Sequence, residues 1–380
     1  MASINKRKTA SGTSYDVRYR DPHRRPRKKT FARKIDADRF AATVEADLVR
    51  GDWLDPRRGR RHFGEWAEDW FATKNDLKPA TLSKYRNILD KHLLPSFGAH
   101  ETARIEHGEV ASYLAGLTSG GMSASRVRSI RNVMKGILDL AVRSSAVKLN
   151  PADGIRIAAD PRREYRYLSA SEVELLAEEI SQPPVHVSQP YAKARPEFGL
   201  LVRFAAFTGL RQGELLALRV RHLDFMRRKV TVHESASEVS GTVHLLPTKT
   251  NEVRSVPIPG ALVDDLMAWT AGRDQDAFVW PNSLDGPMRA SALRSRHFKP
   301  AAKRCGLDGL RFHDLRHTCA ALLIAQDAHP KSIQQWLGHS QITVTLDTYG
   351  HLFPAAEEAL ADRLDAHLFA TERYEQAKAN

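Results

Sequence analysis

The sequence predicts a multidomain protein, mainly α with small β-sheets. Three observations carry that expectation. A chain of 380 residues is long enough for two or three domains. From Phe63, apolar residues recur at helical spacing for almost ninety residues. Short runs with strand-like alternation stand apart from that stretch, at the N-terminus and again from Lys229 to Pro257.

At the N-terminus, Tyr15, Val17 and Tyr19 alternate with Asp16, Arg18 and Arg20, which makes one apolar and one charged face. Ser11-Gly12, Asp21-Pro22 and Pro26 supply turns, and Lys28 to Ala32 is a further short run. The expectation is a sheet of two or three strands, with Tyr15 and Tyr19 beneath it. Ile35, Phe40, Val44 and Leu48 share one side of a following helix. Residues 1–55 thus read as a small sheet backed by a helix, with arginines on the exposed face where strands can enter a DNA groove. Residues 51–62, GDWLDPRRGRRH, read as a linker, either purely solvated or tracking backbone phosphates.

Four apolar stripes follow. They are Phe63/Trp66/Trp70, then Leu82/Tyr85/Ile88/Leu89, then Val110/Tyr113/Leu114/Leu117, and finally Val127 through Ala141. The second stripe is opened by Pro79 and is expected to close before Pro95. Short connections make residues 63–152 a four-helix bundle, with its Trp and Tyr residues in the core. Two polar faces are basic, one with Lys78, Lys84, Arg86 and Lys91, the other with Arg126, Arg128, Arg131 and Lys135. Such faces are either simply solvated or turned to DNA.

Asn150-Pro151 ends the bundle, and residues 155–167 read as a second linker. Ser169 and Glu172 form a capping box that opens a third domain, 165–380. A proline-rich loop insertion, 183–196, has no functional reading. Residues 198–207 make a buried helix, Thr208-Gly209 breaks it, and Arg211 lies in a tight turn before the next helix. An Arg so placed either pairs with a carboxylate, Glu214 being the local one, or is aimed into a pocket. Strands are expected at 229–233, 243–246 and 254–257, with Lys249 in the last turn. There it is an ordinary surface lysine unless the hairpin carries it into a cleft. A helix at about 260–271 and an extended segment at 277–282 follow. Leu360, Leu364, Leu368 and Phe369 mark a C-terminal helix.

Charge narrows the partner. The net charge is +13, and residues 1–34 hold twelve Lys and Arg against two Asp. An excess so placed suits a polyanion. It is either a disordered tail or a DNA-binding element, and the strand alternation favours the latter. No run approaches the ~18 apolar residues of a membrane span, and the N-terminus has no apolar signal core. Cys305 and Cys319 form no CxxC pair, so a reduced, cytoplasmic setting without structural zinc is expected.

The chemistry concentrates in HDLRHTCAALLIAQDAHPKSIQQWLGHSQITVTLDTYGHL, residues 313–352. His313 and Arg316 are three apart and face one side of a helix. His339 follows a helix-ending Gly338, and Tyr349 lies ten positions later between Thr348 and Gly350, without the apolar neighbours of a core tyrosine. A fixed cation, imidazoles and a hydroxyl are parts for handling a phosphate. His317 is expected to be structural and to face away from His313. His351 is also read as structural, the alternative being that it helps Tyr349.

Taken together, TGLRQGEL, TKT, HDLRHT, LGHS and Tyr349-Gly350-His351 resemble the tyrosine recombinase, or phage integrase, family in order and spacing. The resemblance is strong over 165–352. It extends to 63–152 as a core-binding helical domain and to 1–55 as an arm-type DNA-binding domain of the lambda-integrase kind. It implies a mixed α+β catalytic domain with Arg211, Lys249, His313, Arg316, His339 and the nucleophile Tyr349. Arg211 and Arg316 would clamp the scissile phosphate, His313 would accept or position the Tyr349 proton, Lys249 would protonate the leaving 5′-oxygen, and His339 would hydrogen-bond the phosphate. A 3′-phosphotyrosyl intermediate conserves the bond energy, so the resemblance implies no ATP, metal or other cofactor.

The implied partners are double-stranded attachment sites, a homotetramer on DNA, and a DNA-bending host factor and an excisionase. For the tail helix the resemblance implies docking on a neighbouring protomer, the alternative being packing on its own domain. Arg18, Arg20, Arg25, Lys28, Lys84, Arg128 and Arg131 are the candidate DNA contacts. The expected function is integration or excision of a mobile element such as a prophage. The alternatives are a type IB topoisomerase-like relaxing enzyme and a non-catalytic DNA-binding regulator on the same fold.

Overall fold

The computed structural model describes residues 2–9, 12–22, 24–51, 53–159, 165–183, 194–248, 253–353, 361 and 364–367. The chain divides into two compact units, Met1–Arg163 and Glu164–Asn380.

The first unit opens with an antiparallel sheet of Ser3–Thr9, Gly12–Arg20 and Pro26–Phe31 in that order. Val17 is opposite Ile4 on one side and Lys29 on the other. Helix Lys34–Arg50 covers one face, and Val17, Ala37 and Ala41 make a small core with Tyr15, Phe31 and Phe40 against it. Tyr19 and Val44 make a second core with Trp53. The charged face is not uniformly exposed, because Asp16 is buried, with Lys28 and Thr30 each 2.7 Å from its carboxylate.

Within 51–62, Trp53 and Asp55 are packed, in contrast to the expected linker. Trp53 is buried with Tyr19, where a solvated linker would leave its large apolar surface in water. Asp55 accepts from Arg27 Nη2 at 2.7 Å and caps the turn at Arg57, and its N–H donates to the Ser145 carbonyl at 2.9 Å.

The bundle comprises Phe63–Ala72, Pro79–Ile88, His107–Ser119 and Ala124–Arg143. Phe63, Ile88, Val127, Ile130 and Met134 are fully buried in its core. Gly136 meets Trp70 so closely that a β-carbon there would lie 2.8 Å from the indole nitrogen. The second helix does not stop before Pro95. It widens into a π-turn over Leu89–Leu93 and runs on through Leu94–Phe97. Proline lacks an N–H and its ring crowds the preceding turn, and the wider turn absorbs both defects. The same solution recurs at Leu293–Phe298, ahead of Pro300 in Lys299–Arg304.

In the second unit, Ser169 and Glu172 cap helix Ala170–Ser181 reciprocally, Glu172 N–H donating to Ser169 Oγ at 3.2 Å and Ser169 N–H to Glu172 Oε2 at 2.9 Å. Helix Pro196–Thr208 is apolar nearly all round and buried. A three-stranded antiparallel sheet has the order Leu223–Asp224, Lys229–Val232, Arg254–Pro257. A separate hairpin pairs Glu234–Val239 with Thr242–Pro247. Its first strand was not expected, since its half-buried residues ESASEV carry no apolar alternation. Helices Asp314–Ile324, Pro330–Leu337 and Ile342–Tyr349 complete the site-bearing part. Most of the 183–196 insertion, Lys249 and most of the tail after Phe353 lie outside the described residues.

Candidate active site

The site is built where helix Pro196–Thr208 ends. Gly209 takes a left-handed conformation, φ 63°, and a β-carbon there would lie 2.6 Å from Leu337. The turn sets Arg211 at the start of helix Gln212–Leu216. Glu214, one turn on, reaches back to accept from the Arg211 N–H and Nη1, each at 2.9 Å. Arg211 Nη2 donates to the Gly338 carbonyl at 2.9 Å.

Arg316 lies in the first turn of Asp314–Ile324 and is 3% exposed. Its Nη1 donates to the Gly209 carbonyl and its Nη2 to the Leu337 carbonyl, both at 2.6 Å. Arg211 and Arg316 therefore hold successive carbonyls, of Gly338 and Leu337, at the end of one helix. Burial lowers the Arg316 pKa to about 9; the Arg211 charge adds to this and Glu214 opposes it. For Glu214, burial would raise the pKa, but hydrogen bonds and charge from Arg254 and Arg211 outweigh it and hold the carboxyl at about 2.

Three imidazoles surround these guanidiniums. His313 precedes the Asp314–Ile324 helix, and its pKa is lowered by burial first and then by Arg316 and Arg311. His339 follows Gly338, which is left-handed at φ 66°, and its Nδ1 shares a 2.8 Å hydrogen bond with Thr345 Oγ1. His317 shares a 2.9 Å hydrogen bond with the Tyr349 hydroxyl through Nδ1. Burial, with neighbouring positive charge, brings His317 and His339 down to about 4, so both are neutral at pH 7.

His317 does not turn away from His313, as the sequence suggested. Their rings meet edge to face at 5.0 Å, and Tyr165 stacks on His317 at 4.2 Å. The signal was present in the sequence, since residues four apart share a helix face. Tyr349 ends helix Ile342–Tyr349 and is 1% exposed, packed with Cys319, Ile324, Ile333 and Leu337. Its sequence neighbours are polar or small, but its spatial neighbours come from two other helices. Burial pushes its pKa above the ordinary phenol value, while Arg316 pulls the other way.

The site therefore brings together Arg211, His313, Arg316, His339 and Tyr349. Arg254, which forks onto Glu214, was missed, because its partner lies forty residues earlier.

The candidate DNA contacts lie in the first unit. Arg18, Arg20 and Lys28 line one cleft of about 900 Å³, to which Arg27, Lys29 and Arg57 add charge. Lys28 is paired with Asp16 at 2.7 Å. Arg25 is exposed at the turn between the second and third strands. Lys84 is exposed and donates to Ser129 Oγ at 3.1 Å. Arg128 and Arg131 donate to the carbonyls of Ala158 and Ile155, at 3.3 and 2.7 Å, and so tie down the segment after the bundle.

This arrangement has known counterparts. The model of the phage integrase family matches residues 166–355, and that of the phage integrase N-terminal SAM-like domain matches residues 62–114. The chain is 28% identical over 302 residues to the ICEBs1 integrase of Bacillus subtilis, covering 76% of this chain and 78% of that one. It is 28% identical over 345 residues to a prophage phiRv2 integrase of Mycobacterium tuberculosis, covering 88% and 87%. Among solved structures, the Tn1549 transposon integrase in complex with a circular intermediate DNA superposes with a TM-score of 0.68 at 19% identity, over 80% of this chain and 99% of that one. A lambda integrase tetramer bound to a Holliday junction gives 0.57 at 20% identity, over 90% and 94%. The structural likenesses speak for the fold, and the matched family model covers the whole site from Arg211 to Tyr349. The chain belongs to the phage integrase family.

Proposed function

We propose that the protein is a site-specific DNA recombinase that cleaves and rejoins attachment-site DNA through a 3′-phosphotyrosyl intermediate, to integrate or excise a mobile element. The observation that carries this reading is the convergence of Arg211 and Arg316 on the adjacent carbonyls of Gly338 and Leu337, beside His339, in the same unit as the Tyr349 helix. Two guanidiniums held that close suit the non-bridging oxygens of one phosphodiester and the charge that grows on them in the transition state.

In the reaction, Tyr349 Oη attacks phosphorus, the Oη–P bond forms and the P–O5′ bond breaks. The Tyr349 proton passes to His313, and Lys249 gives a proton to the leaving 5′-oxygen. His339, neutral at pH 7 with Nδ1 engaged by Thr345, donates from its other nitrogen to a phosphate oxygen. The 5′-hydroxyl of the partner strand then attacks the phosphotyrosine and releases Tyr349. Tyr349 must first leave its buried partner His317, since a buried phenol cannot reach a duplex.

In this reading residues 1–55 bind arm-type sites, 63–152 grip the core site and 165–380 carry the chemistry. The active assembly is a homotetramer on DNA in the cytoplasm, assisted by a DNA-bending host factor and an excisionase. The basic cleft containing Arg18 and Arg20 supports the first of these roles. The test is recombination between two labelled duplexes that carry a site selected by the protein from a random-sequence pool. Joint molecules of the expected length support the proposal. Relaxation of plasmids lacking the site, without joint molecules, would instead mark a topoisomerase.

A further inference from the structure

Arg254 is absent from the family-derived catalytic set, yet it grips the groups that fix Arg211. It opens strand Arg254–Pro257, which pairs with Lys229–Val232. Its Nη1 donates to Glu214 Oε1 at 2.9 Å and its Nη2 to Glu214 Oε2 at 2.6 Å. The same carboxylate accepts from Arg211 Nη1 and from the Arg211 N–H. Glu214 is 3% exposed, so its carboxylate is held by the two arginines rather than by water.

The Arg254 stem also lies against Gly338. A β-carbon at Gly338 would lie 2.7 Å from Arg254 Nε and 2.8 Å from its Cδ. The Gly338 carbonyl in turn takes Arg211 Nη2. Arg254 thus touches both groups that hold the Arg211 guanidinium, one on each side.

Charge gives this arrangement its consequence. Glu214 alone with Arg211 would form a neutral, bidentate pair, the geometry a carboxylate and a guanidinium favour. With Arg254 forked across both oxygens, Arg211 gives Glu214 a single guanidinium N–H. Two guanidiniums on one carboxylate leave one positive charge over, and Arg316 supplies another. A phosphodiester carries one negative charge and gains more in the transition state.

We propose that Arg254 is a positioning residue: by forking Glu214 and seating on Gly338 it limits the Arg211 guanidinium to one contact with Glu214 and keeps its positive charge available to the scissile phosphate. The proposal rests on the reading of Arg211 as a phosphate ligand.

The test is single-turnover cleavage, by the full chain, of a nicked duplex carrying the site selected by the Tyr349→Phe protein from a random-sequence pool. A parallel duplex has a neutral methylphosphonate at the scissile position. Arg254→Met is expected to bind DNA as wild type does and to cleave slower by on the order of 10²-fold, the cost of misplacing a catalytic group. The deficit is expected to shrink on the methylphosphonate, which needs less positive charge. Arg254→Lys, which keeps charge but not the fork, is expected to fall between wild type and Arg254→Met.

Wild-type cleavage by folded Arg254→Met, or an equal deficit on both duplexes, would overturn the proposal. If Arg254→Met fails to fold, Arg254→Lys decides. Slower cleavage than wild type on the phosphodiester, nearer to wild type on the methylphosphonate, supports the proposal, and equal rates overturn it. Absence of any covalent product with wild type overturns the recombinase reading and this proposal with it. A wild-type product with unimpaired Arg254 variants overturns this proposal alone.

Discussion

The Tyr349 hydroxyl and His317 Nδ1 lie 2.9 Å apart, inside a small core formed by Cys319, Ile324, Ile333 and Leu337. The tyrosine implied as nucleophile is therefore held protonated, out of solvent, by a neutral imidazole. Replacing His317 by Ala leaves that hydroxyl buried without its partner, at a cost of about 1–3 kcal/mol. Tyr349→Phe removes the hydroxyl as well. In a double-mutant cycle read by urea unfolding, His317→Ala is expected to cost less in the Tyr349→Phe background than in wild type. Additive effects would show that the bond contributes nothing.

Acid sensitivity follows from three histidines. His317, His339 and His222 are all brought down to about 4, in each case chiefly by burial. An unfolded histidine titrates near ~6.5, so between that pH and about 4 the unfolded chain binds more protons than the folded one. Stability is full above the unfolded value and falls as the pH drops through this window. Thermal midpoints measured from pH 7.5 to pH 4.5 are expected to decline steadily. Replacing His317 and His339 by Gln is expected to flatten that decline, and an unchanged slope would contradict the burial argument.

Arg316 joins the Gly209 turn to the end of helix Pro330–Leu337 through two carbonyls. Arg316→Ala leaves both carbonyls unpaired and is expected to destabilise the fold by about 1–3 kcal/mol. Arg316→Lys keeps the charge but cannot span both carbonyls. Its cleavage rate is expected to fall by on the order of 10²–10³-fold, as when one preorganised oxyanion donor is lost. Near-wild-type cleavage by Arg316→Lys would mean that charge alone suffices there.

The basic cleft of the first unit makes a graded prediction about salt. Arg18 and Arg20 line the cleft, while Lys28 is paired with buried Asp16. Replacing Arg18 and Arg20 by Gln is expected to weaken DNA binding and lower the slope of log affinity against log salt by about two. Lys28→Gln is expected to change that slope less. Arg131→Met, which frees the Ile155 carbonyl, is expected to lower thermal stability more than DNA affinity. The reverse ranking would overturn this placement of charges.

The parts legible in the sequence were those encoded locally. The bundle stripes from Phe63 to Ala141 specify their own helices and the buried faces of those helices. The Ser169–Glu172 box and the Thr208-Gly209 break set boundaries through neighbouring residues. The residues missed depend on distant partners. Arg254 finds Glu214 forty residues back, and His317 meets Tyr349 only because helix Pro330–Leu337 packs against both neighbouring helices and so returns the end of Ile342–Tyr349 to Asp314–Ile324. Trp53 and Asp55 look like linker residues until Tyr19, Arg27 and Ser145 surround them. Pro95 reads as a stop because the rule for straight helices leaves out the wider turn that accommodates it.

Strand exchange by this route requires that Tyr349 become covalently joined to DNA. The most direct measurement traps the adduct on a nicked duplex whose short 5′-hydroxyl fragment diffuses away, then maps the modified peptide by mass spectrometry. The wild-type chain is expected to yield a DNA-linked peptide containing Tyr349, and Tyr349→Phe none. An adduct that persists in Tyr349→Phe, or maps to another residue, would contradict this expectation.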